Sequence, residues 1–126
     1  MTAPHLEVDV ARELTQLSAE PDGTGGRRAR TLVKLDDLRV VLMTLKAGAR
    51  IPGHHAKGGI SIQVVSGHIL VRAQGCTYDL LVGGLLAIAK DVVHDVEATD
   101  DSAFLLTIAL PGGARTTPPL GATIAR

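Results

Sequence analysis

Histidine is the residue type in this chain whose spacing most directly suggests chemistry. Two of the five histidines, His54 and His55, are adjacent in the stretch GARIPGHHAKGGISIQVVSGHI, Gly48 to Ile69. Another, His94, lies in a separate apolar segment. Imidazole titrates near neutral pH and is the commonest metal ligand in proteins. These side chains are therefore candidates for binding a small molecule, for transferring a proton or for holding a metal ion.

Other catalytic arrangements find no support in the sequence. Ser61 and Cys76 fall on no recognised nucleophile turn, and Gly23 to Gly26 neither follows a strand nor opens a helix, as a phosphate loop would. Cys76 is the only cysteine, which excludes an internal disulfide and a thiolate zinc site. We therefore assign no catalytic residue from the sequence.

Short β-strands must position the histidines. From Arg27 onward about eight short apolar or alternating segments are separated by turn signals every eight to twelve residues, which is typical of an antiparallel sandwich or barrel. The predicted strands cover residues 30–35, 38–46, 60–65, 68–72, 76–81, 85–89, 92–98 and 103–110. Because alternate residues of a strand face the same side, an inward-facing His54 predicts that Ile60 and Ile62 face inward as well, where they meet His94.

Helical periodicity occurs once, ahead of the strands. Val10, Leu14 and Leu17 fall on one face of a helix predicted near residues 8–17, and the turn-forming stretch SAEPDGTGG ends it. The chain is thus predicted to have an N-terminal helix and linker over residues 1–26, a barrel over 27–110 and a C-terminal arm over 111–126. The arm is rich in proline and glycine.

Composition excludes several classes of partner. Thirteen basic and thirteen acidic residues cancel, and Tyr78 and Phe104 are the only aromatic residues, so we expect no nucleic-acid partner. The short basic cluster Arg27 to Arg30 is interpreted as a solvated strand edge. The N-terminal residues lack the pattern of a secretion signal, and no apolar segment reaches the roughly 20 residues that cross a bilayer. We expect a soluble, cytoplasmic protein.

The spacing of glycines and histidines carries a family resemblance. Gly48, His54 and Gly67 match a motif that reads G, five residues, H, one residue, H, three or four residues, E, six residues, G. Ala56 replaces its second histidine and Ile60 its glutamate.

A second motif reads G, five residues, P, one residue, G, two residues, H, three residues, N, and Gly83 and His94 match it. Ala89, Asp91 and Ala98 replace its proline, glycine and asparagine. With these motifs, residues 31–110 resemble the cupin superfamily, specifically its small single-domain bacterial members. The resemblance implies an all-β fold, the antiparallel double-stranded β-helix or jelly roll, with the short N-terminal helix outside it.

The resemblance also implies where a metal would sit, because cupins usually hold one with three imidazoles and a carboxylate. Two of those four ligands, His54 and His94, are present, and two are too few for tight binding. We therefore expect no metal and no other cofactor. His55 completes a triad only if the flexible glycines around it let it turn inward.

Two functions remain open. In the first, the barrel binds a small organic or anionic ligand, which His54 and His94 contact together with His55, Ile60 and Ile62. In the second, the chain is a metal-dependent enzyme of dioxygenase or isomerase type that uses His54, His94 and a third group, for which His55 is the candidate.

A homodimer is also predicted. The segment 38–46 carries apolar residues on both of its faces, and a strand of that kind is normally covered on both. One short helix cannot cover a whole sheet, so we expect a second copy to pack against it sheet to sheet.

Overall fold

Strands and one short helix form the part of the chain that the structure, a computed structural model, describes, which is residues 4–111. Apart from Pro111, the predicted C-terminal arm lies outside these residues. The helix is α1, Val10–Ser18. The strands are β1 Arg27–Lys34, β2 Leu38–Leu45, β3 Arg50–His54, β4 Ile60–Ser66, β5 His68–Ala73, β6 Cys76–Leu81, β7 Leu85–Ile88, β8 His94–Ala98 and β9 Ser102–Ala109. The predicted all-β fold with a short N-terminal helix is confirmed.

The strands form two antiparallel sheets. The larger sheet has the order β1-β2-β9-β4-β7, and the smaller sheet has the order β3-β8-β5-β6. The chain changes sheet on entering β3, β4, β5, β7, β8 and β9, so it winds between two layers as a jelly roll does. This winding places the motif histidines of β3 and β8 on adjacent strands of the smaller sheet.

The core lies between the two sheets and is almost entirely aliphatic. Alternate residues of each strand supply it, as the period of two predicts. Phe104 is its single aromatic residue. Its buried members are Leu45, Ile60, Ile62, Val64, Ile69, Val71, Ile88, Val96, Ala98 and Phe104.

Helix α1 packs on the outer face of the larger sheet. Asp9 caps its N-terminus by accepting a hydrogen bond from the Arg12 amide at 3.1 Å. Leu17 is fully buried, and Arg30 of β1 forms ion pairs with two glutamates of the helix region, Glu13 and Glu20. The basic cluster of β1 thus lies at a sheet edge and also docks the helix. Within the described residues no helix is long and apolar enough to span a membrane.

One strand was missed by sequence reasoning. β3 contains Pro52 and Gly53, which are poor strand formers because proline donates no hydrogen bond and glycine has no side chain to pack. Proline is tolerated here because β3 is an edge strand of the smaller sheet. The segment predicted over 92–98 begins only at His94, since Asp91 has a left-handed backbone with φ of 65° and turns the chain first.

Candidate functional site

The two motif histidines face each other across neighbouring strands. His54 is the last residue of β3 and His94 the first of β8, and they are register partners. Their ring centroids are 4.3 Å apart and the ring planes are tilted by 57°. An irregularity in β3 between Ile51 and His54 brings His54 to this position. The structure therefore joins two residues that are forty positions apart in the sequence.

Backbone carbonyls fix the orientation of both rings. Nδ1 of His54 lies 3.0 Å from the carbonyl oxygen of Pro52, and Nδ1 of His94 lies 3.1 Å from that of Val92. A carbonyl oxygen can only accept, so each Nδ1 carries the proton and donates it. Neither Nε2 atom has a hydrogen-bond partner within the described residues. The Nε2 atoms of two neighbouring imidazoles thus belong to one site.

The two imidazoles differ in burial. His94 is 3% exposed, whereas His54 is exposed to solvent. Burial lowers the pKa of His94 below its usual range, and the nearby His54 lowers it further, while the hydrogen bond to Val92 opposes the change. His94 is therefore neutral at pH 7 and acts as a hydrogen-bond acceptor through Nε2.

Carboxylates do not contribute to the histidine pair. Asp95 and Glu97 of β8 alternate to the outer face of the smaller sheet, as predicted, where the Arg72 guanidinium donates to them at 3.2 and 2.8 Å. His94 has the same parity as the buried Val96 and so faces the barrel interior.

Two cavities lie near the histidine pair, and His94 lines one of them. That cavity, of about 430 Å³, also has Gly53 and Cys76 in its lining, and it extends to Arg72 and Asp95 on the outer face of the smaller sheet. The other, of about 240 Å³, is walled by Tyr78, Leu86, Ile88 and Val92. They share three residues of the β5–β6 hairpin, Ala73, Gln74 and Cys76.

The β5–β6 hairpin was not among the sequence-predicted site residues. Ala73 pairs with His94 in the sheet, which places the hairpin beside the histidines. A signal was available in β6, because Tyr78 shares its parity with the partly buried Leu80 and so points inward. The long-range pairing of β5 with β8 had no counterpart in the sequence pattern.

The remaining predicted site residues take different positions. Ile60 and Ile62 face inward as expected and are 7% and 1% exposed, so they form the closed core below the histidines. His55 follows the end of β3 and is exposed. Ala56, at the position of the missing imidazole, packs against the core. Ligand contacts by His55, Ile60 and Ile62 stay predictions.

The donor set does not fit a tightly held transition metal. Among residues 4–111, no group of three or more histidine, cysteine, aspartate or glutamate side chains is arranged to hold a metal ion. His55 does not join His54 and His94 in such a group. Catalytic zinc has three protein ligands, and non-haem iron sites use two histidines with a carboxylate. The His54–His94 pair supplies only two protein ligands.

Comparison with known proteins identifies the fold. No family model matches the sequence, and no relative is found among curated proteins. Among solved structures, a conserved protein of unknown function from Streptococcus pyogenes superposes with a TM-score of 0.70 at 20% identity, covering 90% of this chain and 93% of that one.

Two further similar structures are a cupin of a named class and an enzyme. An RmlC-like cupin from Desulfovibrio desulfuricans gives a TM-score of 0.69 at 23% identity, covering 83% of this chain and 97% of that chain. Salicylate 1,2-dioxygenase from Pseudoaminobacter salicylatoxidans gives 0.68 at 20% identity, covering 79% of this chain and 31% of the enzyme. At these identities the likeness establishes the fold alone. The chain has the cupin fold, as its motifs implied.

Proposed function

We propose that this protein binds a small organic ligand at the mouth of its barrel, with His54 and His94 as the polar anchors. The observation that carries the proposal is the shared orientation of the two rings. Each Nδ1 is held by a backbone carbonyl, and the ring centroids are 4.3 Å apart, so the two imidazoles are oriented together as one pair. Pre-oriented polar groups beside an apolar cavity are what small-molecule sites have in common.

The protonation state of the pair selects the chemistry of the ligand. A neutral His94 with its proton on Nδ1 offers an acceptor at Nε2, so the ligand supplies a donor such as a hydroxyl, amine or amide N–H group. An anionic ligand requires a protonated Nε2, and burial of His94 opposes that proton. Of the two ligand classes that the sequence left open, the uncharged hydrogen-bond donor is therefore favoured.

The lining residues and the volumes of the two cavities indicate the size and the apolar part of the ligand. The smaller cavity is lined by Tyr78, Leu86, Ile88 and Val92, and three of these four side chains are aliphatic. Volumes of about 240 and 430 Å³ suit a molecule of small-metabolite size. The proposed ligand is thus a small amphipathic molecule whose hydroxyl or N–H end meets the histidines and whose apolar end enters the cavity.

A binding screen tests this proposal. Purified protein is titrated calorimetrically with paired compounds that differ in one group, for example a phenol and the corresponding benzoate. We expect the hydroxyl member of a pair to bind more tightly and His94→Gln to weaken its binding by about 3- to 10-fold, the value of one hydrogen bond. His68→Gln, which changes a histidine outside the site, is the matched control. Equal effects of the two substitutions would contradict the proposal.

A metal-dependent enzyme is the second candidate, because carbonyl-bound Nδ1 atoms also orient histidines that bind metals. The likeness to salicylate 1,2-dioxygenase extends to the fold only. Since two imidazoles do not complete a catalytic metal site, we place this function second. Elemental analysis of untagged protein is expected to find far less than one transition metal per chain. About one metal per chain, lost in His94→Ala, would place the enzyme first.

A further inference from the structure

A third cavity lies between helix α1 and the outer face of the larger sheet. Its volume is about 230 Å³. Leu14 and Ser18 of the helix form one side, and Arg28, Thr44, Lys46 and Ser66 lie on the sheet side. The sheet separates this cavity from the histidine pair, so it belongs to a different site.

The Thr44 hydroxyl at this cavity is buried and lacks a hydrogen-bond partner among the described residues. The Thr44 side chain is 7% exposed, and within the described chain its Oγ1 has no hydrogen-bond partner. A buried hydroxyl without a partner destabilises the fold, and such groups in native proteins are normally satisfied by water or a bound species. The cavity beside Thr44 is therefore expected to contain a polar occupant.

The strand register gathers donors around Thr44. Arg28 of β1 and Ala103 of β9 are its partners in the sheet, and Ser66 of β4 follows in the same row. The Arg28 side chain is 15% exposed and is held by Asp22 and by the carbonyl of Pro21. Those contacts use Nε and one terminal nitrogen, so the guanidinium keeps further N–H groups to donate.

The hydrogen-bond donors that line the cavity favour an anion. Arg28 and Lys46 are cationic, and Asp22 forms an ion pair with Arg28 at 2.5 Å and with Lys46 at 3.9 Å. Asp101 is the carboxylate among the lining residues. Asp101 is already engaged, because its Oδ1 accepts the Ala47 amide at 2.8 Å. The C-terminal end of α1 adds a partial negative charge, so an anion here is held by donated hydrogen bonds and not by an excess of positive charge. The groups that remain are donors, which an oxyanion satisfies.

We propose that this cavity is a binding site for a small oxyanion, held by Arg28, Lys46 and the hydroxyl of Thr44. Phosphate, sulfate or the carboxylate of a small metabolite has the required acceptors, and each is small enough for the space. An anion here bridges β1, β2 and the last turn of α1, so its binding stabilises the docking of the helix. By mass action the folded protein then becomes more stable as the anion concentration rises.

Thermal unfolding of the full chain in inorganic phosphate tests the site. Phosphate is varied at constant ionic strength with chloride as the balancing anion, and a parallel series with acetate separates phosphate from carboxylate binding. We expect a saturable rise in the unfolding midpoint for the wild type. Thr44→Val keeps the side-chain shape and removes the donor, and it should weaken the apparent phosphate or acetate affinity by about tenfold or more.

Arg28→Lys and Arg72→Met complete the experiment. Arg28→Lys keeps the positive charge but loses the several N–H donors of the guanidinium. The rise of the unfolding midpoint with phosphate should therefore be smaller in this variant, even where the helix stays docked. Arg72→Met removes an arginine from the outer face of the smaller sheet and should respond as the wild type does. A response to neither anion beyond chloride, or an equal response in Thr44→Val and wild type, means that only water fills the cavity and overturns the proposal.

Discussion

His94 is buried as a neutral base, and its surroundings make the stability of the protein depend on pH. Because its pKa is lowered by burial, the folded chain binds fewer protons at this site than the unfolded chain does between the lowered pKa and about pH 6.5. The contribution to stability is therefore complete above about pH 6.5 and is lost as the pH falls through that window. Urea unfolding at a series of pH values should show this decline.

The substitution His94→Gln isolates that contribution. It removes the titrating group, so the decline of unfolding free energy below about pH 6.5 should become shallower. Leu6→Ala, an exposed substitution that removes no titrating group, should leave the wild-type slope unchanged. If His94→Gln keeps the full wild-type slope, the buried imidazole is not its source.

Ala56 occupies the position at which the cupin motif has its second histidine. A single substitution at this position should therefore create a metal site. Ala56→His adds a third imidazole to His54 and His94, and three protein ligands suffice for zinc. We expect the variant to take up about one zinc per chain and to become more heat-stable in its presence, whereas the wild type shows no such stoichiometric uptake. Ala87→His, on the exposed edge strand β7, is the control that should gain neither.

At the scale of the elements, the turn between β4 and β5 depends on Gly67. Its φ is +84°, and a Cβ added there would lie 2.7 Å from the Cα of Ser102 and even closer to the oxygens of Ser102 and Asp101. Gly83 has a similar φ of +86° but open space around it. Gly83→Ala should therefore cost roughly 1–2 kcal/mol of backbone strain, and Gly67→Ala roughly 3 kcal/mol or more. Denaturant titration of both variants measures the difference, and equal losses would contradict it.

The docking of α1 depends on Leu17, which is its one fully buried side chain. Leu17→Ala should destabilise the protein by about 2–5 kcal/mol, as deletion of a buried leucine generally does. Leu6→Ala, at an exposed leucine before the helix, should change the unfolding free energy by less than about 0.5 kcal/mol. A loss below about 1 kcal/mol in Leu17→Ala would mean that the helix contributes little to the fold.

At the scale of the whole molecule, the two outer faces of the barrel differ in charge. The smaller sheet presents Arg72, Asp95 and Glu97. On the larger sheet, the row that crosses β2, β9, β4 and β7 reads Leu42, Leu105, Gln63 and Leu85, and the next row reads Val40, Thr107, Ser61 and Ala87. Helix α1 covers the β1–β2 side, which leaves the uncharged β9-β4-β7 side open.

We propose that a second copy of the chain covers this uncharged side, as the pattern of β2 predicted. Sedimentation equilibrium at micromolar concentration should give about twice the 13.1 kDa of one chain. The double substitution Gln63→Glu and Leu85→Glu places like charges opposite one another at an isologous interface and should yield monomers. Thr77→Glu, on the charged outer face beside Arg72, should remain dimeric. A monomeric wild type would refute the proposal.

The local pattern of the chain was enough to predict the strands and the faces that they bury. The period of two in β4 and β8 identified the inward positions of Ile60, Ile62 and His94, because in a strand the parity of a residue decides its face. The spacing of Gly48, His54, Gly67 and Gly83 carried the resemblance that implied the cupin fold. Gly48, Gly67 and Gly83 all have positive φ, which glycine adopts readily in turns. The edge strand β3 was missed, because the proline and glycine that an edge tolerates are the usual signals of a loop.

Tertiary structure decided everything that depends on residues distant in the chain. It paired His54 with His94, turned each Nδ1 to a carbonyl, left His55 exposed and placed the β5–β6 hairpin at the site. It also gathered Thr44, Arg28 and Ser66 around a cavity under the helix. Parity fixes the face of a residue but not its neighbours, because the register between strands depends on turns, bulges and the packing of both sheets at once. The chemistry of the histidine pair and of the cavity under the helix therefore depends on the tertiary structure.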